Sequence, residues 1–455
     1  MPATESLFDA PVEIVPAAPS PVERPQRDMR IFHAADIHLG SPLRNISAHD
    51  DEALATLVRS APLMAFRRLI AAAIDEHADL LLIAGDLLDG DCDIRTLRAA
   101  MGELTALRDA GCEIVLLRGN HDALSRLGHA LDLPAGVHEL PVERPGSVHL
   151  EALGIDVVGQ GFATAAVTEP LHVAYPAPRA GRLSIAMLHT SLDGSPNHDT
   201  YAPAPLAELL GAGHHYWALG HIHLREVHAE APAWVVYPGV LQGRHARETG
   251  AHGAAVLTVR DGRITDVEMR DFDVVRWEHV TVDVAEAADG DAAINLVRGA
   301  LEALAAAAPL PTIARVTLIG RTAAHREISA PRVEHDFAER VRLLTAQVAP
   351  GRVFVERVRV RTQPPLADLA AEATSDDPLG MLLARIDELL LDPAPATTFD
   401  DALAPLRKLL PAELVAAATG ASGDGIGAID DARIVALLPE VRDDLLQRMA
   451  AAVRP

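Results

Sequence analysis

The stretch MRIFHAADIHLG, residues 29–40, decides how the chain folds. It is a short apolar run that ends in polar residues, which is typical of a buried strand opening into a loop. The polar residues at its end are Asp36 and His38, spaced as D-x-H. Loops at the carboxyl ends of strands are where α/β folds place their ligand sites, so this strand predicts a site at its end.

The same pattern recurs along the following residues. Further strands are predicted at 79–85, 112–119, 155–161, 182–190 and 216–220, with helices near 61–77 and 94–109. Apolar strands that alternate with amphipathic helices favour an α/β core whose strands are buried on both faces. Two more strands flank Asp261-Gly262, a dipeptide typical of a hairpin turn. A first domain is therefore predicted over residues 29–275.

Three other segments complete the predicted organisation. Residues 276–363 read as strand, helix, strand, helix, strand, which predicts a small α+β domain. Residues 364–455 form a predicted helical tail, a possible partner-binding region, with helices near 379–391, 399–410 and 433–453. Residues 1–28 are proline-rich and lack an apolar period, which predicts a disordered arm.

Composition limits the class of protein. The chain has 455 residues, 49% of them apolar and 23% charged, as in ordinary globular domains. Two cysteines without C-x-x-C spacing argue against a disulfide framework or a thiolate metal site. We expect no signal peptide and no membrane span, and a cytoplasmic location. The net charge of −24 disfavours nucleic-acid binding by bulk electrostatics.

Five signals that carry chemistry follow apolar strands in order. They are D-x-H (Asp36, His38), G-D-x-x-D (Asp86, Asp89), G-N-H-D (Asn120, His121, Asp122), a single His189, and G-H-x-H (His221, His223). Carboxylate, imidazole and amide ligands without thiolate suit manganese, iron or zinc. Two such ions, bridged by a carboxylate such as Asp86, can hold a phosphate and activate water to hydroxide. His121, with Asp122 next to it, is the predicted proton donor to the leaving oxygen.

Each signal alone also has an ordinary structural explanation. Asp36 and His38 could form a turn with a surface histidine, and Asp86 could be a helix N-cap. Gly119-Asn120 is a natural turn dipeptide, and a lone His189 is more often a core residue. Their joint occurrence, in order and at strand ends, indicates that all five signals contribute to the same metal-binding site. The remaining histidines, His33 among them, are assigned structural or exposed positions.

These motifs resemble those of the calcineurin-like metallophosphoesterase superfamily over about residues 29–275. The resemblance is greatest to DNA repair exonucleases of the SbcD type, and especially to a YhaO-like branch. It rests on FHAADIHLGSPL (32–43), IAGDLLD (83–89), LLRGNHD (116–122), MLHTSLDG (187–194), YWALGHIH (216–223) and YPGVLQGRHARETGAHG (237–253). Asp89 departs from the pattern, because repair nucleases often carry histidine there.

The resemblance implies a four-layer αββα sandwich followed by a capping domain. It implies one metal bound by Asp36, His38, Asp86 and His223, and a second bound by Asp86, Asn120, His189 and His221. His121 matches the catalytic histidine, and manganese is the usual activator. The resemblance also implies an SMC-like ATPase partner with a coiled coil, docked through helices after the capping domain, and a homodimer.

Two enzymatic functions stay open at this point. A DNA phosphodiesterase, an exonuclease or endonuclease subunit of repair, explains the capping domain. Residues 29–275 nevertheless carry 19 basic and 32 acidic residues, so DNA contacts would need a local cluster such as Arg244 and Arg247 or a partner ATPase. A phosphatase or cyclic-nucleotide phosphodiesterase fits the acidic charge but leaves the capping domain unexplained. A non-catalytic scaffold is disfavoured, because the candidate ligands are all present.

Overall fold

The structure, a computed structural model, describes residues 28–41, 43, 52–90, 92–124, 133–192, 201–230, 232–365, 368, 378–392 and 431–452. The chain divides into two compact units, residues 1–278 with 308–313, and residues 279–307 with 314–455. The predicted arm over 1–28, apart from Asp28, and the predicted helix at 399–410 lie outside the described residues. The limits of the four predicted segments stay predictions.

The first sheet of the first unit contains the strand of the stretch MRIFHAADIHLG. Its strands are β1 (Met29–Ala34), β2 (Leu80–Ala84), β3 (Glu113–Leu117), β4 (Val137–Glu139), β11 (Gly253–Arg260) and β12 (Arg263–Asp271). The spatial order is β12-β11-β1-β2-β3-β4, with β1 to β4 parallel and the other two antiparallel. Asp261 and Gly262 both have positive φ, as the predicted hairpin turn requires.

The second sheet also has six strands. They are β5 (Gly146–Leu150), β6 (Ile155–Gly159), β7 (Leu183–His189), β8 (Tyr216–Gly220), β9 (Glu226–Glu230) and β10 (Ala233–Tyr237). The order is β5-β6-β7-β8-β10-β9, in which the four inner strands are parallel and the two edge strands are antiparallel. Parallel strands of this kind are buried on both faces, so β6, β7 and β8 could be predicted from their continuous apolar runs, whereas β10 was not predicted.

Helices cover the outer faces of the two sheets. They are α1 (Glu52–Asp75), α2 (Ile94–Asp109), α3 (Asn120–Leu124) and α4 (Leu206–Gly211). Because side chains alternate along a strand, Leu80 and Leu82 pack between the sheets while Leu81 and Ile83 pack against α1 and α2. Leu209 of α4 packs on the outer face of the second sheet. The layers therefore follow the predicted order, helices, sheet, sheet, helices.

The second unit is built around a three-stranded sheet. Its elements are β13 (Arg276–Asp283), α5 (Gly290–Ala307), β14 (Thr312–Ile319), α6 (His325–Ser329), α7 (Pro331–Val348) and β15 (Val353–Val360). The sheet order is β13-β14-β15. Val297 of α5, Val316 of β14 and Val341 of α7 share one apolar cluster, so the helices cover one face of the sheet. The predicted α+β pattern is confirmed, with α6 as an added short helix.

Two further helices, α8 (Pro378–Leu391) and α9 (Asp431–Ala452), pack against each other. Ile386 of α8 and Leu438 of α9 are the buried pair at their contact. Leu437 and Val441 of α9 are both 45% exposed. None of the described helices combines the length and the apolar character needed to cross a bilayer.

Candidate active site

The predicted ligands lie at the carboxyl ends of strands. Asp36 follows β1, Asp86 follows β2, and Asn120 begins α3 shortly after β3. In the second sheet, His189 is the last residue of β7 and His221 is the first residue after β8. Because β1, β2 and β3 are parallel to one another, as are β7 and β8, the loops that follow them emerge at a shared edge of each sheet, where α/β folds bind ligands.

Four of these residues have left-handed backbone, a conformation that favours glycine. The φ angles are 51° at Asp36, 49° at His38, 52° at Asp86 and 95° at His221. Hydrogen bonds hold two of the loops in place, since Asp36 N–H donates to the Gly85 carbonyl at 3.1 Å and His38 N–H donates to the Asp86 carbonyl at 2.9 Å. Backbone strain of this kind clusters at functional sites.

Two glycines of the motifs are required by space. A Cβ atom at Gly85 would lie 2.3 Å from Nδ1 of His189, and one at Gly119 would lie 2.2 Å from Oδ1 of Asp86. Both distances are far shorter than a carbon atom allows. The glycines of the G-D and G-N-H-D motifs therefore let backbone approach the candidate ligands closely.

The first group of candidate ligands is Asp36, His38 and His223, whose ligand atoms lie within 4.8 Å of one another. Nε2 of His38 lies 3.3 Å from Nε2 of His223, where two ring nitrogens share either one proton or one cation. Nδ1 of His223 donates to Oε1 of Glu248 at 2.5 Å, which leaves its Nε2 lone pair facing His38. One carboxylate and two imidazoles in this arrangement suit a divalent cation.

The second group is Asp36, Asp86 and His189. Nδ1 of His189 donates to the carbonyl of Ala84 at 3.0 Å, so its Nε2 faces Oδ2 of Asp86 at 3.5 Å and Oδ1 of Asn120 at 2.9 Å. Burial lowers the pKa of His189, but the carboxylates of Asp86 and Asp36 and the hydrogen bond to Ala84 together raise it to about 9. The oxygen atoms around Nε2 of His189 thus favour a positive charge beside them, as a cation site requires.

Asp86 connects the two groups. Its Oδ2 lies 3.8 Å from Nε2 of His38 and 3.5 Å from Nε2 of His189, while its Oδ1 accepts the N–H of His121 at 2.8 Å. Burial would raise the pKa of Asp86, but His189 and then His38 lower it below its ordinary value. The carboxylate stays ionised at the central position that a bridging ligand needs.

His221 lies beside the second group. Its backbone N–H donates to both carboxylate oxygens of Asp36, at 3.1 and 2.9 Å, and its ring centroid is 5.2 Å from that of His189. Its ring is absent from the three groups of candidate ligands that the described residues form. The assignment of His221 as a ligand therefore stays a prediction.

His121 is held by Asp89. Its Nδ1 lies 2.9 Å from Oδ1 of Asp89, and this hydrogen bond raises the pKa of His121 against the effect of burial. A ring nitrogen of His121 lies within 4.8 Å of the ligand atoms of His38 and Asp86. The side chain is 27% exposed, so the ring reaches both the ligand cluster and solvent.

Asp122, predicted beside His121 as part of the catalytic pair, points elsewhere. Neighbouring residues on a helix face different directions, so sequence adjacency does not bring the two side chains together. The Asp122 carboxylate accepts hydrogen bonds, at 2.8 to 3.2 Å, from the backbone N–H groups of Leu87, Leu88 and Gly119. Asp122 thus ties two site loops together, and Asp89 is the carboxylate that contacts His121.

The segment GRHARE, residues 243–248, brings two charged side chains to the site. Arg244, predicted as part of a cationic cluster for DNA, is buried, and its Nη2 donates to Asp89 and to Ser41 at 2.9 Å each. Glu248 was not predicted; burial raises its pKa, but the His223 hydrogen bond and charge bring it to about 2. Its only sequence signal is its place in the YPGVLQGRHARETGAHG stretch.

Comparison with known proteins identifies the family. A profile described as calcineurin-like phosphoesterase matches residues 29–225, and one described as the middle domain of metallophosphoesterase YhaO matches residues 277–363. The uncharacterized metallophosphoesterase YhaO of Bacillus subtilis is 34% identical over 370 residues, which cover 79% of this chain and 87% of that protein. The chain belongs to the YhaO-like calcineurin-type metallophosphoesterases.

More distant relatives agree with the SbcD-type resemblance of the motifs. The DNA double-strand break repair protein Mre11 of Aeropyrum pernix is 26% identical over 291 residues, covering 60% of this chain and 67% of that protein. The SbcD component of the nuclease SbcCD of Escherichia coli is 29% identical over 120 residues, covering 26% of this chain and 27% of that protein. As a metallophosphoesterase, the chain is a hydrolase with candidate ligand groups for divalent metal ions.

The two matched ranges divide the site unevenly. The phosphoesterase range contains every predicted ligand from Asp36 to His223, and the YhaO middle domain coincides closely with the predicted capping domain. Arg244 and Glu248 lie between the two ranges. The contacts that orient His121 and His223 therefore come partly from outside the phosphoesterase motifs.

Proposed function

We propose that this metallophosphoesterase is a DNA phosphodiesterase, a repair exonuclease or endonuclease subunit that uses two divalent ions. The observation that carries the proposal is the convergence of candidate ligands from five loops around Asp86. The similarity to Mre11 and to a component of the nuclease SbcCD, whose names describe break repair and a nuclease, supports DNA as the substrate.

The donor set fits manganese, with iron and zinc as alternatives. The donors are carboxylate, imidazole and amide groups, and both cysteines are buried and free. One ion would be held by Asp36, His38, Asp86 and His223, and the other by Asp86, Asn120, His189 and His221. When bound, the ions supply Lewis acidity toward the phosphate.

The protein's own residues supply orientation and a proton. Asp89 accepts the Nδ1 proton of His121, which fixes the ring and favours its doubly protonated form. That ring can then donate from Nε2 to the oxygen that leaves phosphorus, as general acid catalysis requires. Glu248 accepts the Nδ1 proton of His223, so that the Nε2 lone pair of His223 is directed at the ligand cluster.

A phosphatase or small phosphodiesterase is the second candidate. Residues 29–275 have a formal net charge of −13, and two divalent ions would reduce it only to −9. Such an acidic surface suits a small substrate better than a polyanion. The middle domain and the helices α8 and α9 have no evident use in that function, and this favours DNA.

The α8–α9 pair is proposed to dock a partner, an SMC-like ATPase subunit with a coiled coil. Leu391 is 85% exposed and Met381 63% exposed, and Leu437 and Val441 are 45% exposed. Exposed apolar residues on paired helices are typical of helix-in-groove or coiled-coil contacts. The predicted homodimer and the cytoplasmic location stay predictions.

Nuclease assays of the full chain test the proposal. The protein is incubated with manganese and a linear duplex, a single strand or a chromogenic phosphodiester, with His121→Ala as the control. Degradation of DNA that disappears in the variant supports the nuclease. Turnover of the small ester alone, even after an SMC-like ATPase subunit is added, would favour the second candidate.

A further inference from the structure

An arginine stripe lies on the sheet of the YhaO middle domain. It consists of Arg315 on β14 and of Arg357, Arg359 and Arg361 along β15 and its end. Alternate residues of a strand share a face. The residues between them, Val358 and Val360, pack into the core formed with α5 and α7. The arginines therefore lie on the opposite face, where Arg357 and Arg361 are exposed.

The stripe is only partly neutralised. Glu356 receives two hydrogen bonds of 3.0 Å from Arg315 and lies 3.8 Å from Nε of Arg357. Within the described part of the chain, the side chains of Arg359 and Arg361 form no ion pair. The positive charge of Arg315, followed by burial and by Arg357 and Arg361, lowers the pKa of Arg359. The four cations thus repel one another across a small area.

This local charge contrasts with the rest of the chain. Residues 276–363 hold 12 arginines and 11 acidic residues, a formal net charge of +1. Residues 29–275 have a net charge of −13, and the whole chain has −24. The net charge of the chain as a whole repels anions. A local cluster of cations is therefore the place where such a chain can attract one.

We infer that the arginine stripe binds the phosphate backbone of a nucleic acid. The inference rests on the proposed DNA phosphodiesterase function and locates its phosphate contacts. Guanidinium groups match phosphate oxygens in a two-pronged geometry. Alternate strand residues are about 6.6 Å apart, so the stripe spans about 13 Å from Arg357 to Arg361. At about 3.4 Å per nucleotide, that length corresponds to about four phosphates of one strand.

Salt-dependent binding measures these contacts without catalysis. A fluorescent duplex is titrated with the full chain in EDTA between about 50 and 200 mM salt. The test variant combines Arg357→Gln, Arg359→Gln and Arg361→Gln. A matched control combines Arg340→Gln, Arg342→Gln and Arg385→Gln, which remove three charges that are paired with acidic residues. Each phosphate contact contributes about 0.9 to the slope of log K against log salt.

The stripe variant is expected to bind at least about tenfold more weakly and to lose about 2.7 from the slope, while the control keeps the wild-type slope. Equal slopes in the two variants would overturn the inference, as would a wild-type protein that does not bind the duplex at the lowest salt concentration. Lysine at the same three positions should restore the slope. If lysine did not restore the slope, the weaker binding of the glutamine variant would come from a change in shape and not from the loss of charge.

Two further measurements distinguish this inference from the proposed function and from the binding of a protein partner. Both variants should hydrolyse a small phosphodiester at the wild-type rate, since neither changes the site. Absence of hydrolysis in the wild type would defeat the proposed function and leave the stripe's binding result standing. An acidic peptide that binds the stripe while DNA does not compete would instead identify a protein partner and overturn the inference.

Discussion

Oδ1 of Asp89 lies 2.9 Å from Nδ1 of His121, and its Oδ2 lies 2.9 Å from Nη2 of Arg244. One carboxylate therefore joins the loop after β2 to the helix α3 and to the segment before β11. The SbcD-type repair nucleases that the motifs resemble often have histidine at the position of Asp89. In this chain the position orients a neighbouring histidine, and the loss of either partner should affect the proton-transfer step.

Removing the imidazole tests its role as proton donor. His121→Ala should retain metal and substrate binding but lower kcat by about 10²–10⁴-fold, the usual contribution of a general acid. Asp89→Asn should lower kcat less, because the ring keeps a hydrogen-bond partner but loses the charge that favours its protonated form. His138→Ala, which removes a partly exposed histidine outside the site, is the control. Full activity in His121→Ala would exclude the proposed donor.

Metal content tests the central position of Asp86. Asp86→Ala should lose both ions, because Asp86 lies between the two groups of candidate ligands. His223→Ala should lose only one, because its contacts are with the first group. Plasma emission spectrometry of the purified proteins gives the ion count directly. One ion retained in Asp86→Ala would show that the carboxylate serves a single metal.

Glu248 is expected to control metal affinity from outside the ligand set. It accepts the Nδ1 proton of His223, and loss of such a support lowers metal affinity by about 10–100-fold. Glu248→Gln keeps the shape and removes the charge, so titration with manganese should show this weakening. Glu226→Gln removes a carboxylate paired with the surface residue His228 and should bind metal as the wild type does. If Glu248→Gln and Glu226→Gln bound manganese with equal affinity, Glu248 would have a purely structural role.

The candidate ligands were easier to predict from the sequence than the residues that orient them. Asp36, Asp86 and His189 were readable because each follows an apolar run, and parallel strands bring such ends to one edge. The partner of His121 was not readable in this way. Asp89 and Asp122 are both acidic and near in sequence, and only the direction of each side chain separates them.

Elements without a continuous apolar run were also missed. The edge strands β5 and β9 are half-exposed and polar, so they lack the apolar run by which β6, β7 and β8 were predicted. The arginine stripe was hidden for a related reason. Within VFVERVRVRT the alternation is visible, but only the packing of Val358 shows which face holds the arginines.

Ending the chain after residue 376 tests the tail. The truncated protein lacks α8 and α9, whose described apolar contact is with each other. It should hydrolyse a small phosphodiester normally and fail to bind an SMC-like ATPase subunit in a pull-down assay. Loss of hydrolysis together with binding would show that the tail belongs to the fold of the enzyme.

His33 should make the folded state sensitive to acid. It is buried between the two sheets, with Nδ1 2.9 Å from Oη of Tyr216, and burial lowers its pKa to about 3. Between that pKa and the ordinary value near 6.5, the unfolded chain holds a proton that the folded chain excludes. Stability therefore falls as pH decreases below about 6.5, by up to about 1.4 kcal/mol per pH unit from this group. Urea unfolding in EDTA at several pH values should show a flatter decline of the free energy of unfolding for His33→Gln than for the wild type. The control His279→Gln, at an exposed position, should follow the wild type. Parallel curves for all three proteins would mean that His33 is not the group that titrates on unfolding.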